Sequence, residues 1–317
     1  LPLYPELKVG PPTLSTYREL QAFKPDIVHI IHPVIIGTVG LMMGRRLRIP
    51  RLASFHLDLA QMARHHRMGI MEPVMNLFAR LTFNAADYAL APSRLVQNHM
   101  QSLGIQRVGL WGRGVDGEKF NPRFRNTAMR ETLSDGHPDE TILIYVGRLS
   151  AEKKLEQLRP VLEQVPGTRL VLIGNGPDRA SLEQHFAGLP VKFMGYMSGE
   201  ALSQAYASAD IFVFPSALET FGLVVTEAMS AGLPVVASQV GGVCDVVQEG
   251  VTGYTFVPGD VDVLIEGVRK IAVSRERITE MGIAARAFAE TQTWEVMMDE
   301  VLDVYSNMIE KHQKLRK

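Results

Sequence analysis

Glu219 and Glu227 lie eight positions apart, with Thr220-Phe221-Gly222-Leu223 between them. The run Ile211-Phe-Val-Phe-Pro215 before them is apolar and of strand type, and after Gly222 the spacing turns helical through Leu223, Glu227 and Ala231. A strand, a loop and a helix are therefore expected here, with the helix starting near Gly222. The backbone amides of Thr220, Phe221, Gly222 and Leu223 would then be free at a helix start, where the dipole favours an anion such as phosphate. Carboxylates do not bind phosphate, but they accept hydrogen bonds from sugar hydroxyls. A ligand carrying both phosphates and sugars, a nucleotide sugar, would use the whole element. Either glutamate alone reads as an ordinary surface residue; the combination carries the expectation.

A second group of chemically useful residues is Gly147-Arg148, at the end of the apolar run Ile142-Leu-Ile-Tyr-Val146, with Lys153 five residues on. A glycine turn with cations at the carboxyl end of a strand is where an open α/β sheet binds phosphate. Arginine offers a planar fork and lysine a point charge. His56 closes another strand, Arg51-Leu-Ala-Ser-Phe-His56, and so stands at a carboxyl end as well. His29 and His32 have no such support, and Asp58 is left undecided. Gly174-Asn-Gly-Pro177 reads as a turn. Arg64-His-His-Arg67 with Met68 to Met71 reads by default as a solvated loop and alternatively as a contact with lipid headgroups.

The elements that would position these residues alternate. Strands at 25–31, 51–56 and 85–92 with helices at 14–23, to Met43, and 71–83 make a first, parallel sheet. Residues 121–140 are polar and irregular and read as a linker. Alternation restarts at Thr141, with strands at 142–147, 169–173, 191–195, 211–215 and 234–238. Helices are expected at 154–164, 178–186, 261–272, 275–290 and 294–312. Domain 1–138, with helix 295–317 packing back on it, and domain 139–294 follow from this division.

Composition sets bounds. The 317 residues are 46% hydrophobic and 21% charged, as in a soluble globular protein with room for two cores. A single cysteine, Cys244, excludes an internal disulfide, and no metal-binding cluster of cysteine and histidine is visible. Residues 1–125 hold 16 Lys+Arg against 8 Asp+Glu, whereas the whole chain has a net charge of −1. The basic half is expected to meet something anionic, a membrane surface or a charged substrate, with nucleic acid ranked last. Residues 27–44 fall short of the ~20 apolar residues that span a bilayer.

The pattern Glu219…Glu227, with Phe-Gly-Leu between and Ala-Gly-Leu-Pro following, resembles the signature of the retaining nucleotide-sugar glycosyltransferases of GT-B fold. Val146-Gly-Arg-Leu-Ser-Ala-Glu-Lys-Lys is similar to that family's diphosphate-binding segment, except that Lys154 stands where many members have glycine. The resemblance implies an α/β fold of two Rossmann-like, doubly wound domains facing across a cleft. It implies that Arg148 and Lys153 bind the diphosphate with Gly147 and residues 220–223, that Glu219 lies near the donor sugar, and that Glu227 holds the ribose. It further implies that His56 contacts the sugar, that residues 174–177 and 194–197 lie near the base, and that neither metal nor cofactor is needed. Against that family the amino-terminal domain is expected to lack its opening glycine-rich unit.

Within the family, Leu110-Trp-Gly-Arg-Gly-Val-Asp116 through Phe120-Asn-Pro-Arg-Phe-Arg125, and Leu202 to Ser208, resemble the sulfoquinovosyldiacylglycerol synthases. This implies a UDP-sugar donor, UDP-sulfoquinovose first, and a diacylglycerol acceptor. It implies a cytoplasmic, peripherally membrane-associated enzyme, at the chloroplast envelope or thylakoid if plant or algal. UDP-glucose, UDP-galactose or GDP-mannose with another acceptor, an epimerase, and an inactive nucleotide-binding fragment are the alternatives.

Overall fold

The computed structural model describes residues 13–31, 33–56, 71–112 and 114–315. The residues Asp58, His32 and Arg64 to Arg67 singled out above lie outside them. The described chain forms two compact units. The first takes the residues up to Pro92, Val96–Trp111 and those from Asp299 onward; the second takes Ser93–Leu95 and Gly112–Met298.

The first unit holds a four-stranded sheet of β1 (Val28–Ile31), β2 (Arg51–Ser54), β3 (Tyr88–Ala91) and β4 (Val108–Leu110), parallel throughout and in sequential order. Among its described residues are helices α1 (Leu14–Phe23), α2 (Ile35–Leu47), α3 (Glu72–Asn84) and most of α4 (Arg94–Ser102). Alternation along β2 divides the packing. Ala53 and Phe55 pack with Leu41, Phe83 and Ala89. Leu52 faces the other way, onto Trp111 and Val301.

The second unit contains α5 (Thr127–Ser134), β5 (Thr141–Val146), α6 (Arg159–Gln164), β6 (Thr168–Ile173), α7 (Arg179–His185), β7 (Val191–Gly195), α8 (Gly199–Ser208) and β8 (Ile211–Phe214). It continues with α9 (Leu223–Ser230), β9 (Val235–Ser238), α10 (Val243–Val246), β10 (Gly253–Phe256), α11 (Val261–Ala272), α12 (Arg275–Glu290) and the start of α13 (Trp294–Lys314). The six strands lie in the order β10-β9-β8-β5-β6-β7 and all pair in parallel. Strand order therefore reverses between β5 and β8. In an open α/β sheet that reversal opens a crevice at the strands' carboxyl ends.

Three sequence expectations are corrected. The units change over at Trp111/Gly112 and not at 138/139. The 121–140 stretch is not a linker, because Asn126 caps α5 through Met129 N and Leu133 is fully buried in the second core. There Arg130 makes a two-pronged bond to the buried carboxylate of Asp210. The helix expected over 154–164 is instead a 3-10 turn, Leu155–Leu158, followed by the short α6, whose second residue is Pro160; another 3-10 turn, Ala151–Lys153, precedes them. Proline suits a first helical turn, where its missing N–H would have no helical partner, and α6 accordingly starts at Arg159 with Pro160 in its first turn.

Candidate functional site

Two loops at the strand-order reversal, Gly147–Lys153 after β5 and Pro215–Gly222 after β8, are tied together. Ala217 N donates to Glu152 O at 2.8 Å, and Lys153 Nζ lies 3.2 Å from Glu219 Oε2 and 3.4 Å from Leu218 O. The same ammonium sits 5.3 Å above the Phe214 ring. Lys153 and Glu219 are 16% and 21% exposed, so the pair is only partly screened by water.

Each loop is shaped by glycines whose neighbours leave no room for a side chain. Gly147 adopts φ 156, and Gly147 N donates to Ile173 O at 2.9 Å. A Cβ on Gly174 would overlap the Gly147 carbonyl, and one on Gly176 the Leu149 carbonyl. The turn at 174–177 thus braces the Gly147 turn from behind, with Leu149 N donating to Asn175 O at 3.0 Å and Asp178 N to Leu149 O at 3.1 Å. On the other loop, Gly242 N donates to Thr220 O at 3.1 Å, and a Cβ on Gly241 would overlap Glu219 O.

Arg148 is exposed, and its guanidinium takes no partner among the described residues; its carbonyl accepts from the Tyr145 hydroxyl at 2.9 Å. Lys154, the departure noted in the sequence, holds φ 53 and ψ 35. This is the left-handed conformation that glycine adopts without strain, so the backbone path suited to glycine is kept with a lysine in it.

Helix α9 begins at Leu223 with Gly222 as its N-cap at φ 76. The expectation of four free amides is corrected, because Glu219 Oε1 accepts from Thr220 N at 2.9 Å and from Phe221 N at 3.4 Å. A carboxylate three residues before the helix cap reaches forward to amides that would otherwise lack an acceptor. The amides of Gly222 and Leu223 have no acceptor among the described residues.

Glu227 lies within α9, where Glu227 Oε2 accepts from the hydroxyl of Tyr206 at 3.1 Å. Tyr206 on α8 is fully buried. Burial pushes the Glu227 carboxyl above its ordinary value, while the Tyr206 hydrogen bond and the charge of Lys119 pull it down. Tyr206 itself is pushed well up, by burial and then by the Glu227 charge. Sequence reasoning missed Tyr206, since nothing in its local pattern separates it from a core aromatic.

In the first unit His56 follows β2, with its Nε2 2.8 Å from Ser54 Oγ and its ring edge-on to Trp111 at 6.0 Å. His29, set aside in the sequence, reaches the same hydroxyl through Nε2 at 3.0 Å. The alternation Ser54-Phe55-His56 at a strand end was the available signal that Ser54 shares a face with His56. Among the described residues no group of three or more His, Cys, Asp or Glu is placed to hold a metal ion, and no helix is long and apolar enough to cross a membrane.

Comparison with known proteins adds to this geometry. Residues 131–288 match the family model of glycosyl transferases group 1, and residues 1–119 that of glycosyltransferase family 4. The chain is 41% identical over 283 residues to the sulfoquinovosyl transferase SQD2 of Arabidopsis thaliana, covering 87% of this chain and 55% of that protein's length. It is 37% identical over 311 residues to a GDP-mannose-dependent alpha-mannosyltransferase of Mycolicibacterium smegmatis, covering 97% of this chain and 80% of that one. Among solved structures, Anabaena Alr3699/HepE in complex with UDP superposes with a TM-score of 0.79 at 21% identity, over 92% of this chain and 82% of the other. That likeness shows the fold, an α/β GT-B architecture with two parallel sheets.

Proposed function

The chain belongs to the glycosyltransferases of group 1 and family 4, and from that premise we propose that it moves a hexose-type sugar from a UDP-sugar to diacylglycerol, making a glycolipid. UDP-sulfoquinovose is the leading donor, supported by the 41% identity to the Arabidopsis sulfoquinovosyl transferase. The observation that carries the reading is the Lys153–Glu219 pair joining the β5 and β8 loops at the strand-order reversal.

Arg148, Lys153 and the amides of Gly222 and Leu223 stabilise the departing diphosphate, whose charge grows as the glycosidic bond breaks. Phosphate oxygens draw Lys153 away from Glu219, whose carboxylate then accepts from the sugar hydroxyls. Glu227 accepts from the ribose hydroxyls, and His56 contributes a hydrogen bond to the sugar. The departing phosphate oxygen takes the acceptor's proton on the same face, so the anomeric configuration is retained. Cations and amides supply the positive field without metal or cofactor. The basic character of residues 1–125 supports contact with an anionic membrane surface from the cytoplasmic side, at the chloroplast envelope or thylakoid in a plant or alga.

A GDP-mannose donor is the second reading, favoured by the 97% coverage of this chain in its match to the mannosyltransferase. Nucleotide release separates the two. The protein is offered UDP-sulfoquinovose, UDP-glucose, UDP-galactose and GDP-mannose, each with and without diacylglycerol in anionic vesicles. UDP release that needs lipid and prefers UDP-sulfoquinovose is the expected result. Lipid-independent release, or release from GDP-mannose alone, contradicts the proposal.

A further inference from the structure

Four side chains of the first unit form one hydrogen-bonded line. The Tyr305 hydroxyl lies 2.7 Å from His29 Nδ1, His29 Nε2 lies 3.0 Å from Ser54 Oγ, and Ser54 Oγ lies 2.8 Å from His56 Nε2. Sheet geometry brings them together. In the parallel register His29 pairs with Leu52 and Ile31 with Ser54, so residues 29, 52 and 54 project from one face. That face is covered by the part of α13 in the first unit, where Val304, Tyr305 and Met308 pack on Leu52, Leu90 and Trp111. The Trp111 ring lies 5.8 Å from His29 and 6.0 Å from His56.

A proton count along the line has few solutions. Ser54 is 1% exposed, and among the described residues its hydroxyl reaches only the two imidazole nitrogens. A buried hydroxyl donates its proton, and one proton serves one acceptor. Ser54 therefore donates to one histidine and accepts from the other, and the two rings hold complementary tautomers.

Tyr305 sets the direction. A phenol O–H is more acidic than a neutral imidazole N–H, and among the described residues the Tyr305 hydroxyl has His29 as its one hydrogen-bond partner, so it donates to Nδ1. Burial lowers the pKa of His29, which keeps it neutral near pH 7, with one nitrogen accepting and the other donating. His29 Nε2–H then donates to Ser54, and Ser54 donates to His56 Nε2.

We infer that Tyr305, His29 and Ser54 are positioning residues that hold neutral His56 with its proton on Nδ1, so that the ring nitrogen not bonded to Ser54 is a hydrogen-bond donor. Such a group meets an oxygen lone pair and disfavours a hydroxyl that must donate. The consequence for transfer rests on the proposal that His56 contacts the sugar; the tautomer does not.

The test uses the full chain labelled with 15N-histidine. Two-bond proton–nitrogen correlation spectra, assigned with His29→Gln and His56→Gln, read which nitrogen of each ring carries the proton. The expected result is His29 protonated on Nε2 and His56 on Nδ1. Tyr305→Phe, three hydrogen bonds up the line from His56, mixes the tautomers of both rings. Ser54→Ala mixes that of His56 and uncouples it from Tyr305. In both variants kcat for UDP release falls about 10-fold at unchanged KM for the UDP-sugar, the scale of loss when a histidine's orienting partner is removed. A wild-type His56 protonated on Nε2, or a His56 spectrum unmoved by both variants, overturns the inference. Tautomers that respond while kcat does not would uphold the line and overturn instead the assignment of His56 to the sugar.

Discussion

Lys153 Nζ is 3.2 Å from one carboxylate oxygen of Glu219, and the other oxygen accepts from the amides of Thr220 and Phe221. Glu219 therefore occupies Lys153, one of the donors that the proposed diphosphate site would use. In the proposed reaction its carboxylate must be displaced before it can meet the sugar. The pair acts as an exchange, with the incoming phosphate taking the lysine and releasing the glutamate.

Through its proposed contact with the ribose, Glu227 should make nucleotide binding pH-dependent. Burial raises its pKa, so donor affinity should fall, as pH drops, sooner than an ordinary glutamate near 4.5 would dictate. For stability the sign is opposite. A carboxyl raised in the folded state contributes fully below the unfolded value and loses that contribution as pH rises through the folded one. Glu227→Gln should therefore match the wild type in Tm below about pH 4 and equal or exceed it at pH 7, read by thermal melts across that range.

Tyr206→Phe removes the hydrogen bond that pulls the Glu227 pKa down. Without that bond the charged carboxylate is held less well, so the acid limb of the UDP affinity profile should move to higher pH. Titration calorimetry of UDP between pH 5 and 8 reads this. An unmoved limb would mean that Tyr206 does not act on Glu227.

Lys154 holds a left-handed conformation that costs an L-residue roughly 1–2 kcal/mol, partly offset by the lower entropy of its unfolded chain. Lys154→Gly should leave stability unchanged or raise it by up to about 1 kcal/mol, and Lys154→Val should lower it, as measured by urea denaturation.

Gly174→Ala would drive a methyl group into the Gly147 carbonyl at φ 134. A loss of about 3 kcal/mol or more is expected, together with loss of UDP binding, since the Gly147 turn must shift. Gly188→Ala, also at positive φ but in open space, is the control, and it should bind UDP as the wild type does.

Much of this was legible before the structure. The strand, loop and helix around Glu219 follow from an apolar run giving way to helical spacing, and α9 starts at Leu223 after Gly222. Boundaries set by distant contacts were not legible. The 121–140 stretch reads as polar linker because the anchor of Arg130 is Asp210, eighty positions away. The line from Tyr305 to His56 was invisible for the same reason, as it depends on α13 covering β1 and β2. Nor does local sequence show that a glutamate will fold back onto the amides beside it.

The most direct measurement is calorimetric titration of UDP into the wild type, Lys153→Met and Glu219→Ala. Lys153→Met should weaken binding severely, and its turnover should fall about 10²-fold or more, the usual cost of losing one preorganised donor. Glu219→Ala frees Lys153 and two amides, so it should bind UDP as tightly as the wild type or more tightly while its turnover collapses. Wild-type affinity in Lys153→Met, or lost UDP binding in a folded Glu219→Ala, would contradict a diphosphate site between the β5 and β8 loops.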